Sequence, residues 1–583
     1  MTTGEDLARL GRTAAHLRPA QLAQRARLRA QRAALRRWPT ASQHLLTVGL
    51  APTGISQGNA PGWPAEFAPL DATALAAVPE HWPTLAELRL GRIQLLGLSR
   101  NLAASGAQAA DWQQSDAPQL WRFHLHYWDW AWGLAAASDR SAARSVFAWL
   151  WRSWRAACPL GHGDAWLPYP SALRIWSWCG LYHDLVAGSA FEEEFHREIS
   201  THAAFLRRHL ETDVGGNHLI KDLKALVGLG VFLGDGLMLG RALRVLSDQL
   251  TIQVLPDGGH YERAPAYHCQ VLADLIDVAD LLSASGHIPP HALTMAIARM
   301  RSWLGVVLTS DGSVPLLNDG YPVPVALVAA LEPCARAETP LVTLADTGLI
   351  RAQVGGWHLI ADVGAPCPDE LPAHAHADTL SCIVHVDGAP LFVDTATSTY
   401  EAGQVRSYER STAAHNTLEI DGTDSTEVWG AFRAGRRARV HGAAAETQVG
   451  QVTARAAHDG YRHLRGRPVH RRQWLLRDEG LEVDDAVTGS GRHAVAVRWH
   501  LPPGSDLCLE PHGATVSTAT GHFVVTVTGS APVRLEIEPG SVAVGFQRTR
   551  LAPVLACRMD AILPTRLSAT WRRRELPNVK GPA

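Results

Sequence analysis

Three short polar clusters in the second half of the chain combine side chains that bind metal ions and transfer protons. They are His374-Ala375-His376-Ala377-Asp378, the Asp394 that follows a Leu-Phe-Val run, and His415-Asn416. The apolar runs beside them, 382–386 and 391–393, predict β-strands. Imidazoles and one carboxylate, completed by water or a further ligand, form a typical zinc site. Because side chains alternate along a strand, the two histidines of the first cluster are expected to point to the same side, so that one could bind metal while the other faces a substrate.

Two more clusters lie in the first half of the chain. Residues 215–222, Gly-Gly-Asn-His-Leu-Ile-Lys-Asp, predict a helix start at which Asn217 could be the N-cap and the paired glycines let a ligand approach the backbone. Residues 257–268 bring Tyr, His, Glu and Arg to another helix start, where Glu262 would be favourable near the helix N-terminus. Taken alone, each cluster fits a helix start as well as a functional site.

The elements that must position these clusters change type along the chain. From about 83 to 310 the apolar period is helical, and residues 141–158 show one clear stripe of large apolar side chains. Further helical patterns cover roughly 170–188, 190–210, 216–234, 237–255, 264–286 and 290–308. After Leu349 the apolar residues alternate and are broken by Gly-containing turns, which predicts a long antiparallel β domain. We therefore predict domains at 83–335 and 346–575, preceded by a basic helix over 1–38 and a wrapping segment over 39–80.

Composition excludes several classes of protein. With 583 residues, 46% hydrophobic residues and a net charge of −2, the chain has ordinary globular chemistry and length for two or more domains, and it does not suggest a nucleic-acid-binding protein. Its eight cysteines lack Cys-x-x-Cys spacing, so they indicate buried thiols rather than a zinc knuckle or a disulfide framework. Twenty tryptophans fit helix packing and, for a few, contact with sugar rings.

The N-terminal 38 residues carry nine arginines and no apolar run of a secretory signal. No stretch is apolar enough for a transmembrane helix. We therefore expect a cytoplasmic protein by default, with a periplasmic or secreted location open through another route. The arginine run is expected to be a solvated helix; an organelle-targeting or acidic-polymer-binding arm is the alternative.

Taken together, the motifs resemble the heparinase II/III-like polysaccharide lyases of the alginate lyase and heparinase superfamily, in a branch often found with bacterial exopolysaccharide genes. The resemblance covers roughly residues 115–420 and rests on the His-x-His-x-Asp cluster, on 393–400, on 406–416, and on the two clusters of the first half. It implies an α+β multidomain fold, an incomplete (α/α) toroid over 83–335 followed by an antiparallel β-sandwich, with residues 1–82 before them.

The resemblance also implies roles for individual residues. A single structural zinc would be held by His376, Asp394 and His415. The catalytic residues would be Asn217, His218, Tyr267 and His374. Sugar rings would stack on Tyr127, Trp128 and Tyr169, although core packing of these aromatic side chains is the alternative and the one favoured. Substrate carboxylates would meet Arg174 and Arg410. Lys221 departs from the pattern, because relatives often have an acidic residue there.

The implied reaction is β-elimination at a uronic acid in an acidic polysaccharide, such as a bacterial exopolysaccharide, a glycosaminoglycan or an alginate-like polymer. A base removes the C5 proton, amide or imidazole donors neutralise the carboxylate, and an acid protonates the leaving oxygen. Either His374 is the base and Tyr267 the acid, or Tyr267 does both. A metal-dependent hydrolase and a non-catalytic polysaccharide-binding or assembly factor are the alternatives. The uronate, endo or exo cutting and the oligomeric state stay open.

Overall fold

The computed structural model describes residues 4–38, 41, 61–75, 82–103, 110–335, 338–519 and 521–574. Most of the predicted wrapping segment, 39–80, lies outside these residues. Its described part, 61–75, packs Trp63 edge-on against Trp176, and Gly62 donates a backbone hydrogen bond to Phe232. This part therefore belongs to the helical core.

Residues 110–335, the helical half, consist of antiparallel helices whose bounds lie close to the predicted ones. The helices of eight or more residues are Gln119–Tyr127, Arg140–Ala157, Pro168–Gly180, Glu192–His209, Gly216–Leu233, Gly236–Gln253, Pro265–Ala284 and His291–Val307. Shorter helices in and before this half are Leu70–Leu75, Leu85–Arg89, Trp132–Ala135 and Val325–Ala330.

The helix Gly216–Leu233 is the centre of the helical half. It contacts four other long helices, and nearly all of its residues are buried. Its glycines permit this close packing, because a Cβ at Gly228 would lie 2.9 Å from the ring of Trp176. Because neighbouring helices enclose this helix, its first turn, with Asn217 and His218, has a fixed position.

The N-terminal segment differs from the single basic helix that we predicted. It forms two helices, α1 (Gly4–Ala14) and α2 (Pro19–Arg37). Proline has no N–H group to donate and favours the first position of a helix, so Pro19 begins α2 and separates it from α1.

Residues 338–574, the β half, form antiparallel sheets in the described chain. One sheet contains Leu341–Leu344, Leu349–Val354, Trp357–Asp362, Cys382–Val386 and Ala389–Phe392. A larger sheet contains, in spatial order, Val440–Gln448, Gln451–His458, Val469–Arg477, Gly480–Thr488, Thr565–Arg573, Gly521–Gly529, Gly513–Thr518 and Asp506–Glu510. A third contains Arg534–Gly545, Arg548–Ile562, Arg492–His500 and Leu418–Ile420. Alternating buried side chains, including Trp357, Trp474, Trp499 and Trp571, fill one core between them.

Two small hairpins complete the described strands, Arg92–Leu95 with Leu98–Asn101 and Val428–Trp429 with Arg433–Ala434. The helix Gln404–Glu409 lies in the β half. Within the described residues, no helix is long and apolar enough to cross a membrane.

Candidate functional site

Asp319, which the sequence analysis did not single out, lies at the centre of the polar cluster between the two halves. Its carboxylate is fully buried and accepts hydrogen bonds from His374 Nδ1 at 2.9 Å and from His376 Nε2 at 2.9 Å. Arg406 adds a bidentate ion pair, with Nη2 at 2.9 Å from Asp319 Oδ2. Burial alone would raise the pKa of Asp319, but the Arg406 charge and the two imidazole hydrogen bonds hold the pKa well below its ordinary value.

The two histidines share one side, as predicted, but they do not lie on a strand. Residues 374–378 are an irregular loop in which both imidazoles turn toward the same carboxylate. Arg410 fixes this loop, because its guanidinium donates to the Ala375 carbonyl oxygen at 2.9 and 3.0 Å and to Gly430 and Arg433 carbonyl oxygens. The strand prediction for this cluster was wrong. In this loop, backbone groups of residues 375 and 376 bond to the side chains of Arg410 and Asn318, whereas in a strand they would bond to a neighbouring strand.

His374 joins the two halves through a second carboxylate. Its Nε2 lies 3.0 Å from Glu262 Oε2, while its Nδ1 is bonded to Asp319. Burial lowers the pKa of His374, but the two carboxylates outweigh burial and raise the pKa to about 9. His374 is therefore an imidazolium with both nitrogens donating, and in this arrangement it has no lone pair with which to accept a proton.

Glu262 reaches the first turn of the central helix. Its Oε1 accepts from the backbone N–H of Asn217 at 2.7 Å, and its Oε2 accepts from the Asn217 amide at 2.9 Å. The approach requires Gly216, which has φ +56° and at which a Cβ would lie 1.9 Å from Glu262 Oε1. Asn217 is thus not the N-cap that we predicted, because its side chain bonds to Glu262 and the cap position is Gly215.

Tyr267, in the first turn of Pro265–Ala284, packs directly on His374. The ring centroids are 3.9 Å apart, and the Tyr267 hydroxyl is 2.7 Å from the hydroxyl of Tyr400. Burial and the neighbouring phenols raise the pKa of Tyr267 well above its ordinary value. The phenol therefore stays protonated and is suited to donate a proton; the lowered pKa that a tyrosine base needs is absent from this arrangement.

His218 is the most solvent-accessible of the predicted catalytic residues, with 37% of its side chain exposed. Its Nδ1 lies 3.1 Å from Glu211 Oε2, which leaves Nε2 free of that bond. The ring of Tyr169 lies 4.4 Å from the ring of His218, and Gln270, one turn after Tyr267 in its helix, donates to the Tyr169 hydroxyl at 2.8 Å. A glutamate on one nitrogen fixes the tautomer in which the other nitrogen can accept a proton.

The predicted zinc ligands lie together, but they bond to other side chains. His415 Nδ1 is 2.8 Å from Asp394 Oδ2, and His376 Nε2 is bonded to Asp319. In the part of the chain that the structure describes, no group of three or more His, Cys, Asp or Glu side chains is arranged to hold a metal ion. In this arrangement the predicted ligands are engaged with other side chains. Within the same described residues, His376 Nδ1, His415 Nε2 and both Asp378 carboxylate oxygens are buried without a hydrogen-bond partner.

Three of the predicted substrate-binding residues, Trp128, Arg174 and Arg410, are buried away from solvent. Trp128 is stacked among the rings of Trp112 and Trp130, and Arg174 lies 4.3 Å over the Trp154 ring and donates to the His126 carbonyl oxygen. With Arg410 bound to backbone carbonyls, these three side chains support the fold in this structure and present no polar atom to a polymer. Arg174 is surrounded by aromatic rings, so burial lowers its pKa to about 9.

The remaining predicted residues lie near the cluster. Tyr127 packs edge-on against Tyr169, with centroids 5.8 Å apart, and is mostly buried, whereas Tyr169 is half-buried. Lys221, the position at which the chain was expected to depart from the family pattern, is bonded to Asp274 at 2.7 Å. The departure at Lys221 is thus compensated by a carboxylate within the helical half.

Sequence analysis missed Asp319, and it named Arg406 and Tyr400 only as parts of longer runs. The Asn318-Asp319-Gly320 turn was the available signal, because Asn318 adopts φ +54° and such residues often shape functional loops. Asn318 Oδ1 accepts from the His376 N–H and its amide donates to the Arg263 carbonyl, so the turn ties the two halves together.

Comparisons with known proteins agree with this architecture. The profile described as heparinase II/III N-terminus matches residues 102–332, and the profile described as heparinase II/III-like, C-terminal, matches residues 336–566. The FtsZ-localized protein C of Caulobacter vibrioides is 30% identical over 299 residues, which are 48% of this chain and 51% of that protein. The chain thus spans about half the length of that curated relative.

Solved structures show the fold. A heparinase III superposes with a TM-score of 0.70 and 18% identity, covering 87% of this chain and 85% of its own. A mutant heparan sulfate lyase of Pedobacter heparinus superposes with a TM-score of 0.62 and 16% identity, covering 90% and 88%. The predicted fold class, a toroid followed by an antiparallel β-sandwich, is confirmed, and with both profiles matched in order the chain belongs to the heparinase II/III-like family.

Proposed function

We propose that the chain is a polysaccharide lyase that cleaves an acidic, uronic-acid-containing polysaccharide by β-elimination and leaves 4,5-unsaturated uronate ends. The observation that carries the proposal is the contact of Tyr267 in the helical half with His374 in the β half. His218 is linked to this pair through its neighbour Asn217, which bonds to the Glu262 that His374 contacts. A phenol held protonated beside a fixed imidazolium and an accessible imidazole supplies an acid, a positive charge and a base.

The proposed role of each residue follows from which of its side-chain atoms can contact the substrate. His218, oriented by Glu211, takes the C5 proton on Nε2. The electron pair of the C5–H bond forms the C4=C5 double bond, and the electrons of the C4–O bond leave with the oxygen. Tyr267 donates its proton to that departing oxygen, and after product release the proton on His218 returns through solvent to the Tyr267 phenolate. His374 is a positioning residue that places positive charge beside Tyr267 and the anionic sugar. Asn217 Oδ1, which is buried and has no hydrogen-bond partner among the described residues, can accept a hydrogen bond from the bound sugar.

The substrate class is proposed from the chemistry and from the named lyases. The heparan sulfate lyase among the similar structures makes a glycosaminoglycan a first candidate, while a uronate-containing bacterial exopolysaccharide or an alginate-like polymer presents the same kind of C5–H group next to a carboxylate. All three classes carry a C5 proton next to a carboxylate, which the proposed mechanism requires.

A structural zinc stays part of the proposal, but no catalytic step depends on it. The buried atoms of His376, His415 and Asp378 that have no hydrogen-bond partner in the described part of the chain support a cation nearby. Binding through Asp394 and His415 would require their direct hydrogen bond to be replaced.

The test is incubation with a panel of these polymers while the ultraviolet absorbance of the unsaturated product is followed. We expect an increase that Tyr267→Phe reduces by about 10²- to 10⁴-fold. Tyr182→Phe, which removes a hydroxyl bonded to Glu192 elsewhere in the helical half, is the matched control and should retain activity. Equal activity in the wild type and Tyr267→Phe would remove Tyr267 from the chemistry, and a saturated product would favour the hydrolase.

The second candidate is a non-catalytic polysaccharide-binding or assembly factor. The curated relative that shares 30% identity is named for its localisation with FtsZ and not for an enzymatic activity, which favours this alternative. Binding of a uronate polymer without product formation, unchanged by Tyr267→Phe, would support it against the lyase.

A further inference from the structure

One face of α2 carries a row of arginines beside the candidate site. Gln21, Leu28 and Leu35 recur every seven residues and are buried against the helical half. Arg25, Arg29, Arg32 and Arg36, which we call the arginine stripe, fall within about 60° of one another around the helix. With Arg18 at the N-cap, the guanidinium row extends over roughly 27 Å.

The beginning of α2 contacts the loops that lead into the site from both halves. Gln21 donates to the backbone carbonyls of Asp213 at 3.2 Å and Glu370 at 3.4 Å. Arg25 lies 3.7 Å from the Asp213 carboxylate. The loop at 213 precedes Asn217, and the loop at 370 precedes His374, so the stripe begins next to the site and continues away from it.

In the far part of the stripe, the positive charge of the arginines is not balanced by direct ion pairs. Among residues 4–38 and the other described ranges, no carboxylate forms an ion pair with Arg29, Arg32 or Arg36, and Arg29 and Arg36 are exposed to solvent. Arg32 Nε is buried and has no hydrogen-bond partner in these ranges. Arg32 also lies within electrostatic reach of the buried Asp222, whose pKa its charge lowers against the effect of burial. Guanidinium groups in a row that form no direct ion pair suit a ligand with regularly spaced carboxylates or sulfates.

We propose that the arginine stripe is an extended binding site for the part of the acidic polysaccharide that continues beyond the cleavage position. This inference rests on the proposed function, since it takes its ligand class from it. Charge complementarity selects the ligand, and the contacts with 213 and 370 align the stripe with the site. The stripe lies before residue 102, where the match to the family profiles begins, so it is a feature that neither profile describes.

The test compares two double variants of equal charge. Arg29→Glu/Arg36→Glu reverses two exposed charges on the stripe, whereas Arg27→Glu/Arg37→Glu reverses two exposed charges on other faces of α2. Both are made in a Tyr267→Phe background, and equilibrium binding of long heparan sulfate, alginate chains and their tetrasaccharides is measured together with melting temperature. We expect the stripe variant to bind the long polymer at least about tenfold more weakly, the control to change less than about threefold, and tetrasaccharide binding to be equal in both.

Three results would overturn the inference. Equal weakening by the two variants would show that only the total charge matters. Unchanged polymer binding in the stripe variant would show that the stripe does not hold the polymer. If the same variant lost binding to phosphatidylserine vesicles, the stripe would be assigned to a membrane surface. A wild-type chain that binds tetrasaccharides as tightly as long polymers would leave no role for an extended site. Each of these can occur in a chain that forms unsaturated product, so the proposed function is judged separately by that product.

Discussion

The two halves of the molecule contribute to the candidate site in different ways. The helical half presents His218 and Tyr169, whose side chains are partly open to solvent and retain atoms free to meet a ligand. The β half presents His374, His376, Asp394 and His415, which are buried and bonded to carboxylates or imidazoles of the protein. We infer that the helical half performs the proton transfers, while the β half fixes charge and geometry.

This difference has a physical reason. A buried ion pair costs desolvation energy and loses freedom of movement, so it positions groups well but exchanges protons poorly. An imidazole at the surface with one fixed nitrogen keeps its second nitrogen near solvent and substrate. Substitutions of the accessible proton-transfer residues should therefore reduce activity at constant stability, and substitutions in the buried polar cluster around Asp319 and Glu262 should reduce stability first.

The largest effect is expected on activity, at His218. His218→Gln removes the proposed base, and we expect the rate of product formation to fall by about 10²- to 10⁴-fold with an unchanged melting temperature. His287→Gln, at an exposed histidine of the helical half, is the control and should keep full activity. Retained activity in His218→Gln would contradict the inference that the helical half performs the proton transfers.

The next effect is on stability, at Asp319. Asp319→Asn leaves Arg406 and the two histidines without their buried carboxylate, and we expect a loss of about 3–5 kcal/mol in the free energy of unfolding by urea titration. Asp387→Asn breaks an exposed pair with Arg573 in the β half and should cost less than about 1 kcal/mol. Equal stabilities of the two variants would show that the Asp319 cluster does not hold the halves together.

Glu262 should make stability depend on pH. Burial raises its pKa, but His374 and the Asn217 N–H lower it from 4.5 to about 2. Because the pKa is lower in the folded than in the unfolded chain, this stabilisation is complete above pH 4.5 and is lost as the pH falls toward 2; it amounts to roughly 3 kcal/mol.

The measurement compares unfolding free energies of the wild type and Glu262→Gln between pH 7 and pH 3. The wild type should be more stable at pH 7, and the difference should shrink below pH 4.5. Glu193→Gln, at an exposed glutamate, should match the wild type at pH 7. A constant difference across this range would contradict the assigned role of the Glu262–His374 pair.

The smallest effect is expected at the proposed zinc ligand His376. His376→Ala should lower the bound zinc measured by elemental analysis of the purified protein, and it should lower the free energy of unfolding by about 1–3 kcal/mol through the lost hydrogen bond to Asp319. His358→Ala, at a buried histidine on a strand of the β half, separates loss of metal from loss of packing. Full zinc content in His376→Ala would remove His376 from the ligand set.

Local sequence signals predicted the elements well. The apolar period of 141–158 predicted the helix Arg140–Ala157, and the run 382–386 coincides with the strand Cys382–Val386. The shared side of His374 and His376 was also predicted, although their backbone is a loop. Such features follow from spacing within a few residues, which the sequence displays directly.

Sequence spacing did not predict which polar groups meet or which are buried. The resemblance implied substrate contacts for Trp128 and Arg174, but helix packing encloses both. Asp319 became the central carboxylate only because residues 319, 374, 376 and 406, far apart along the chain, converge between the halves. The sequence by itself determined the order of helices and strands and the residue types available for chemistry. The tertiary structure decided their partners and exposure, because pairing and desolvation depend on distances in space between segments and not on positions along the chain.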